Sequence, residues 1–288
     1  MKPPTLSPSL KQQLPRLVTG LLLAAVLVAC LILGGPYLAV ALALVSALAL
    51  FEFFQMFWPG RTKLPTKIFG LFAALMIFCP VGGPASVNAI LVLVLAWAAV
   101  VFLLDFSRGN DAANLASQAP LPFGILYIPV LLHLALALSL KEQFLVVTAA
   151  IASDTAAYYV GCAFGRHKIW PRVSPKKSWE GSIAGFLATV AVTVGIACIP
   201  YGDGPLHGGG VLMWLLVGAV LNIAAQVGDF FESALKRTRG VKDSGGILPG
   251  HGGILDRIDS ILFTLAAYSV IMLARDHVLL LRNLFGAA

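Results

Sequence analysis

Charge is scarce in this sequence. Asp, Glu, Lys and Arg make up 11% of its 288 residues, against about 25% in a soluble globular domain. That deficit excludes an ordinary water-soluble domain, and no stretch between the apolar runs is long enough to bury a core of its own. Cysteine is rare too. Cys30, Cys79, Cys162 and Cys198 lie within or at the ends of apolar runs without C-x-x-C spacing, which argues against a disulfide framework or a thiolate metal site. The motifs G-x-x-x-x-G-K-[ST], H-E-x-x-H, G-x-S-x-G and N-x-[ST] are all missing, so a Walker-type ATPase and a zinc protease are disfavoured. There is no internal repeat, low-complexity segment or heptad pattern.

What is present is hydrocarbon. Residues of apolar type make up 59% of the chain, and the mean hydropathy is +0.89. Apolar runs at about 17–33, 37–58, 67–81, 88–106, 122–139, 143–163, 181–200, 211–230 and 259–274 predict an all-α, polytopic transmembrane helix bundle of about nine spans. Lys2, Lys11 and Arg16 precede the first run, but Leu17 to Leu33 lacks a clear small-residue cleavage site and is followed at once by another span, so it reads as a retained helix. The net charge of +7 is assigned to basic cytoplasmic loops beside anionic lipid rather than to nucleic acid. Loops 34–36, 82–87 and 201–210 hold no Lys or Arg. The positive-inside rule then places the N-terminus and the polar segments 164–180 and 231–258 in the cytoplasm, with the C-terminus outside.

Those polar segments carry the candidate chemistry. Asp229 closes the eighth run in this reading. Lys236, Arg237, Arg239, Lys242 and Asp243 follow, then Gly245-Gly246, Pro249-Gly250-His251-Gly252-Gly253, and Asp256, Arg257 and Asp259. Neighbouring glycines let backbone N–H groups approach a phosphate, and carboxylates beside a basic cluster suit a metal–polyphosphate site. Asp256 and Asp259, three apart, share a helix face. A loop that only marked topology would need Lys and Arg without these aspartates. In the sixth run, Asp154 lies about 14 Å from the span end, a depth at which an ionisable group marks a functional site. Tyr158 shares its face, and Lys176, Lys177 and Ser178 follow. Trp179 reads as an interfacial residue. Gly181 and Gly185 form a helix-packing GxxxG. Glu52 is a snorkelling or paired residue, Asp105 interfacial, and His133 a satisfied membrane histidine.

The run Ser233-x-Leu235-Lys236-Arg237-x4-Lys242-Asp243-x-Gly245-x2-Leu248-Pro249-x-His251-Gly252-Gly253-Ile254-x-Asp256-Arg257-Ile258-Asp259 resembles the signature of the phosphatidate cytidylyltransferase family. The segments Ser153–Gly161 and Ser174–Gly181 resemble that family as well, with Cys162 standing where a basic residue is expected. The likeness covers about residues 150–260 and divides the chain into N-terminal helices (1–143) and a catalytic membrane region (144–288). It implies an enzyme of the inner cell membrane that uses CTP, phosphatidic acid and Mg²⁺, as one ion or two, and releases CDP-diacylglycerol and pyrophosphate. Residue by residue, it implies Asp229 and Asp256 as metal ligands and Lys176, Lys177, Lys236, Arg237 and Lys242 on phosphates. Ser178, Gly252 and Gly253 would contact the nucleotide, and Asp154, Asp243, His251, Arg257 and Asp259 would orient or support. A homodimer is left open. The competing readings are a CTP-dependent polyprenol- or phytol-type lipid kinase and an ion-coupled transporter. The transporter would require charges distributed through the membrane.

Overall fold

The computed structural model describes residues 25–26, 28–79, 83–108, 115–199, 210–248 and 252–285. Among them, seven helices are long and apolar enough to cross a membrane, and Leu64–Ile77 is a shorter apolar helix. We label them in order α1 (Gly35–Phe57), α2 (Leu64–Ile77), α3 (Gly83–Ser107), α4 (Leu115–Ala137), α5 (Leu140–Phe164), α6 (Trp179–Cys198), α7 (Val211–Thr238) and α8 (Leu255–Phe285). These correspond to eight of the nine expected spans. Most of the first, 17–33, and all of loop 201–209 lie outside the described residues, as does His251. No strand occurs among the described residues, only isolated bridges between Lys168 and Ser178 and between Leu248 and Gly252.

The helix ends differ from expectation for one physical reason. Breaks at 143, 230 and 259 were placed where charge begins, yet the helices run through the charge because its partners lie inside the protein. α5 starts at Leu140, where Ser139 and Glu142 form a reciprocal capping box. Glu142 is buried and also accepts a hydrogen bond from Tyr268 Oη at 3.0 Å. Asp229 therefore does not close its span. It sits nine residues before Thr238, about 14 Å from the helix end. α4 is irregular, with a π turn at Leu126–Val130 that contains Pro129, where the missing N–H breaks the regular ladder. The boundary expected between 143 and 144 lies inside α5, and one hydrophobic cluster runs from Phe53, Phe54 and Ile128 to Leu221 and Leu262.

Helices α5, α6 and α7 pack through small and polar residues. A Cβ at Gly181 would come within 2.6 Å of the Ala157 carbonyl oxygen, and one at Gly185 within 2.8 Å of that of Ser153. The GxxxG pair thus packs α6 backbone to backbone on α5. Buried Asn222 of α7 donates to Ser153 Oγ (2.9 Å) and Thr189 Oγ1 (3.2 Å), and Gln226 Nε2 donates to Asn222 Oδ1 (2.6 Å). Polar ties of this kind hold membrane helices together where no hydrophobic force does.

The polar segments close over one end of the bundle. Trp179 N donates to His167 O (2.9 Å) and Glu180 binds His167, folding 165–178 back on α6. Arg237 Nε donates to Val173 O (3.4 Å), and Arg239 donates to Met56 O (3.3 Å) and Phe57 O (2.7 Å) while covering the Phe57 ring. Segments 165–178 and 239–248 therefore share a face with the end of α1. Gly181→Ala should lower stability by about 1–3 kcal/mol by overpacking the α5–α6 contact. Thermal unfolding in detergent checks this. A midpoint equal to that of the wild type would show that the contact is not close.

Candidate active site

Two groups of charged residues lie side by side beneath this face. The deeper one gathers residues from four elements: Asp154 of α5, Lys177 of the 165–178 segment, Asp229 of α7 and Asp259 of α8. Lys177 is ion-paired to Asp229 and lies 4.2 Å from the centre of the Phe230 ring. Asp229 also accepts from Ser233 Oγ at 3.3 Å, one helical turn on. Ser260 Oγ donates to Asp154 Oδ2 (2.9 Å), and Ser260 N donates to Asp259 Oδ1 (2.7 Å). The charges of Asp229 and Asp154 both act on Asp259, and those of Lys177 and Arg257 act on Asp154. Asp154 lies ten residues from the end of α5 and is exposed. α7 and α8 approach closely because Gly228 faces the Asp259 carbonyl, which a Cβ there would meet at 2.6 Å.

The second group shapes the signature loop. Lys236 is ion-paired with both Glu232, one turn earlier, and Asp256 of α8, with side-chain exposures of 12, 0 and 8%. Asp256 accepts from Lys236 Nζ (2.6 Å), Ser244 N (3.0 Å) and Gly253 N (2.8 Å). Gly252 has φ +79°, a conformation that favours glycine, and its carbonyl accepts from Leu248 N at 3.0 Å. Glu52 of α1 reaches into the same loop. Its Oε2 accepts from Ser244 Oγ (3.1 Å) and Leu255 N (3.0 Å).

The expected residues thus fall into separate places. Asp154, Lys177, Asp229 and Asp259 come together. Lys236 and Asp256 bind each other in the loop group. Lys176, Arg237, Lys242, Asp243 and Arg257 are exposed at the polar end. Ser178 is buried as the N-cap of α6, with its Oγ accepting from Gly181 N at 3.3 Å. Gly253 is buried. The sequence reading gave Glu232 no role, although its i, i+4 spacing to Lys236 was a visible signal. Asp105, expected at an interface, is paired with Lys63, and His133 packs edge-on against Phe78.

Among the described residues no group of three or more His, Cys, Asp or Glu side chains is close enough to hold a metal ion alone. The donor chemistry still suits a hard cation. Around Asp154, Asp229 and Asp259 the nearby donors are carboxylate and hydroxyl oxygens, and Lys177 is directly paired to Asp229. Mg²⁺ takes one or two carboxylates and fills its octahedron with water and phosphate.

The cytidylyltransferase family model matches residues 14–274. The chain is 34% identical over 269 residues to a phosphatidate cytidylyltransferase of Staphylococcus haemolyticus, covering 90% of this chain and 98% of that protein. It is 32% identical over 263 residues to a phosphatidate cytidylyltransferase of Bacillus subtilis, covering 87 and 94%. It is 30% identical over 276 residues to one of Mycobacterium bovis, covering 89 and 87%.

The loop group generates a stability test. Lys236→Met should destabilise the protein by about 3–5 kcal/mol, because it leaves buried Glu232 and Asp256 without their cation. An unchanged melting temperature in detergent would contradict that burial.

Proposed function

The chain belongs to the cytidylyltransferase family, and from that premise we propose that it transfers the cytidylyl group of CTP to phosphatidic acid, releasing CDP-diacylglycerol and pyrophosphate. The observation that carries this reading is the gathering of Asp154, Lys177, Asp229 and Asp259 from three helices and a polar segment beneath a face that exposes Lys176, Arg237 and Lys242. A lipid phosphate and a water-soluble triphosphate can meet only at such a boundary. The face is assigned to the cytoplasm of a bacterial inner membrane, on the loop charge bias and because CTP is cytoplasmic.

The roles follow from charge. A phosphomonoester with a second pKa near 6 is largely dianionic at neutral pH, so phosphatidic acid needs no protein base. Its oxygen attacks the α-phosphorus of CTP, the bond to the bridging oxygen breaks, and pyrophosphate leaves with the electron pair. The obstacles are repulsion between anions and charge growth on the leaving group. Lys176, Lys177, Arg237 and Lys242 offset both by placement and electrostatics. Asp229 and Asp256, on facing helices with Asp259 beside Asp229, would hold Mg²⁺ together with phosphate oxygens and water. A bound ion would supply positive charge to the phosphates. Lys236, held by Asp256 in this structure, would add positive charge beside the phosphates.

The test is purified protein with phosphatidic acid and CTP labelled at either the α- or the γ-phosphate. The α-label should enter the lipid and the γ-label should leave as pyrophosphate, with turnover abolished by EDTA. A γ-labelled lipid would identify a kinase instead. Asp229→Asn and Asp256→Asn should each lower turnover by about a hundredfold, the scale of one preorganised electrostatic group. A near-normal rate at saturating Mg²⁺ would remove that residue from the metal site. Orientation has its own check. Lys242→Cys in a cysteine-free background should resist an impermeant thiol reagent added to intact cells, and strong labelling from outside would reverse the assignment.

A further inference from the structure

Glu52 belongs to α1, far in sequence from the signature, yet it is 2% exposed and its Oε2 holds two parts of that signature. Ser244 Oγ donates to it at 3.1 Å from the loop, and Leu255 N at 3.0 Å from the first turn of α8. A carboxylate at a helix N-terminus satisfies a free N–H and meets the positive end of the helix dipole. Two loop glycines lie against it, since a Cβ at either Gly245 or Gly253 would collide with the Glu52 carboxyl group. The glycines thus make room for a carboxylate from another helix. Nearby, Arg239 grips the last carbonyls of α1, Met56 O and Phe57 O. The signature loop is therefore fastened to α1 at Glu52 and at Arg239.

We propose that Glu52 is a positioning residue of the cytidylyl-transfer site: it fixes the loop residues around Ser244 and Gly253 and the start of α8, and so sets where Asp256 and Asp259 stand relative to Asp229. The geometry supports a chain of contacts. Glu52 holds Ser244 Oγ and Leu255 N; Ser244 N and Gly253 N in turn bind Asp256. Asp259 is one turn further along the same helix. Loss of Glu52 would free the loop on one side and let Asp256 and Asp259 shift, while removing none of the site's own charged groups. This rests on the proposed reaction for its kinetic arm, but not for its structural arm.

The experiment compares wild type, Glu52→Ala and Glu52→Gln as full-length protein in detergent. The structural arm is tryptic cleavage after exposed Lys242. Glu52→Ala should be cut at least about tenfold faster, and Glu52→Gln, which keeps an acceptor oxygen, less so. In the kinetic arm, Glu52→Ala should lower kcat/KM for CTP by about a hundredfold, the cost of a displacement near 1 Å, and should raise the Mg²⁺ concentration for half-maximal rate. Ser244→Ala should add little to Glu52→Ala although it weakens the wild type, because both act through one contact. If Glu52→Ala does not fold, Glu52→Gln carries the same comparison at smaller amplitude. Unchanged cleavage overturns the fastening. Faster cleavage with CTP and Mg²⁺ dependences like those of the wild type reduces Glu52 to a structural residue and overturns its positioning role. If the wild type forms no CDP-lipid, the reaction assignment fails while the cleavage result still decides the fastening.

Discussion

The active face depends on Lys236 sitting between Glu232 and Asp256. All three side chains are nearly removed from solvent, and such a group is tolerable only when its partners are complete. That requirement draws the end of α7 against the start of α8 and folds the signature loop so that Ser244 N and Gly253 N reach Asp256. Gly228 lets the same two helices approach closely a little deeper, which places Asp229 near Asp259. Glu52 and Arg239 then secure the loop to α1. The site is thus shaped by the pairing of charges across helices.

Much of this was legible in the sequence because the membrane imposes a simple code. Eight apolar runs became eight helices, and the GxxxG at Gly181 and Gly185 packs as expected. The depth of Asp154 and its company with Lys177 and Asp229 follow from the same code, since a charge that deep needs a wet cavity or a partner. The helix ends were misplaced where charge was taken as the edge of hydrocarbon. Asp229, Glu142 and Asp256 are all helical because their partners come from other segments. Long-range pairs were the hidden part. Glu52 meets Ser244 across 192 residues of sequence, and no local spacing announces it. Ser178, expected beside two lysines as a nucleotide contact, also caps α6.

The arrangement explains how one chain handles two immiscible substrates. Lys176, Arg237 and Lys242 of the polar face are exposed, and Asp154 and Asp229 lie ten and nine residues from the ends of their helices. A phosphate delivered from the membrane and a triphosphate delivered from water would converge on the same cationic and carboxylate groups. Ser233 and Ser260 donate to Asp229 and Asp154, while Ser244 donates to Glu52. These hydroxyls organise carboxylates, and the acceptor phosphate is already an anion that needs placement more than activation. The account therefore rests on direct displacement between two positioned anions.

The most direct test of that claim is the stereochemical course at phosphorus. Chiral α-thio-CTP and phosphatidic acid, turned over by the purified protein, give a CDP-lipid whose phosphorothioate configuration can be read. A single in-line displacement predicts inversion at the α-phosphorus. Retention would show two displacements and a cytidylyl group carried on the protein, contradicting an active site that works by placement and charge alone.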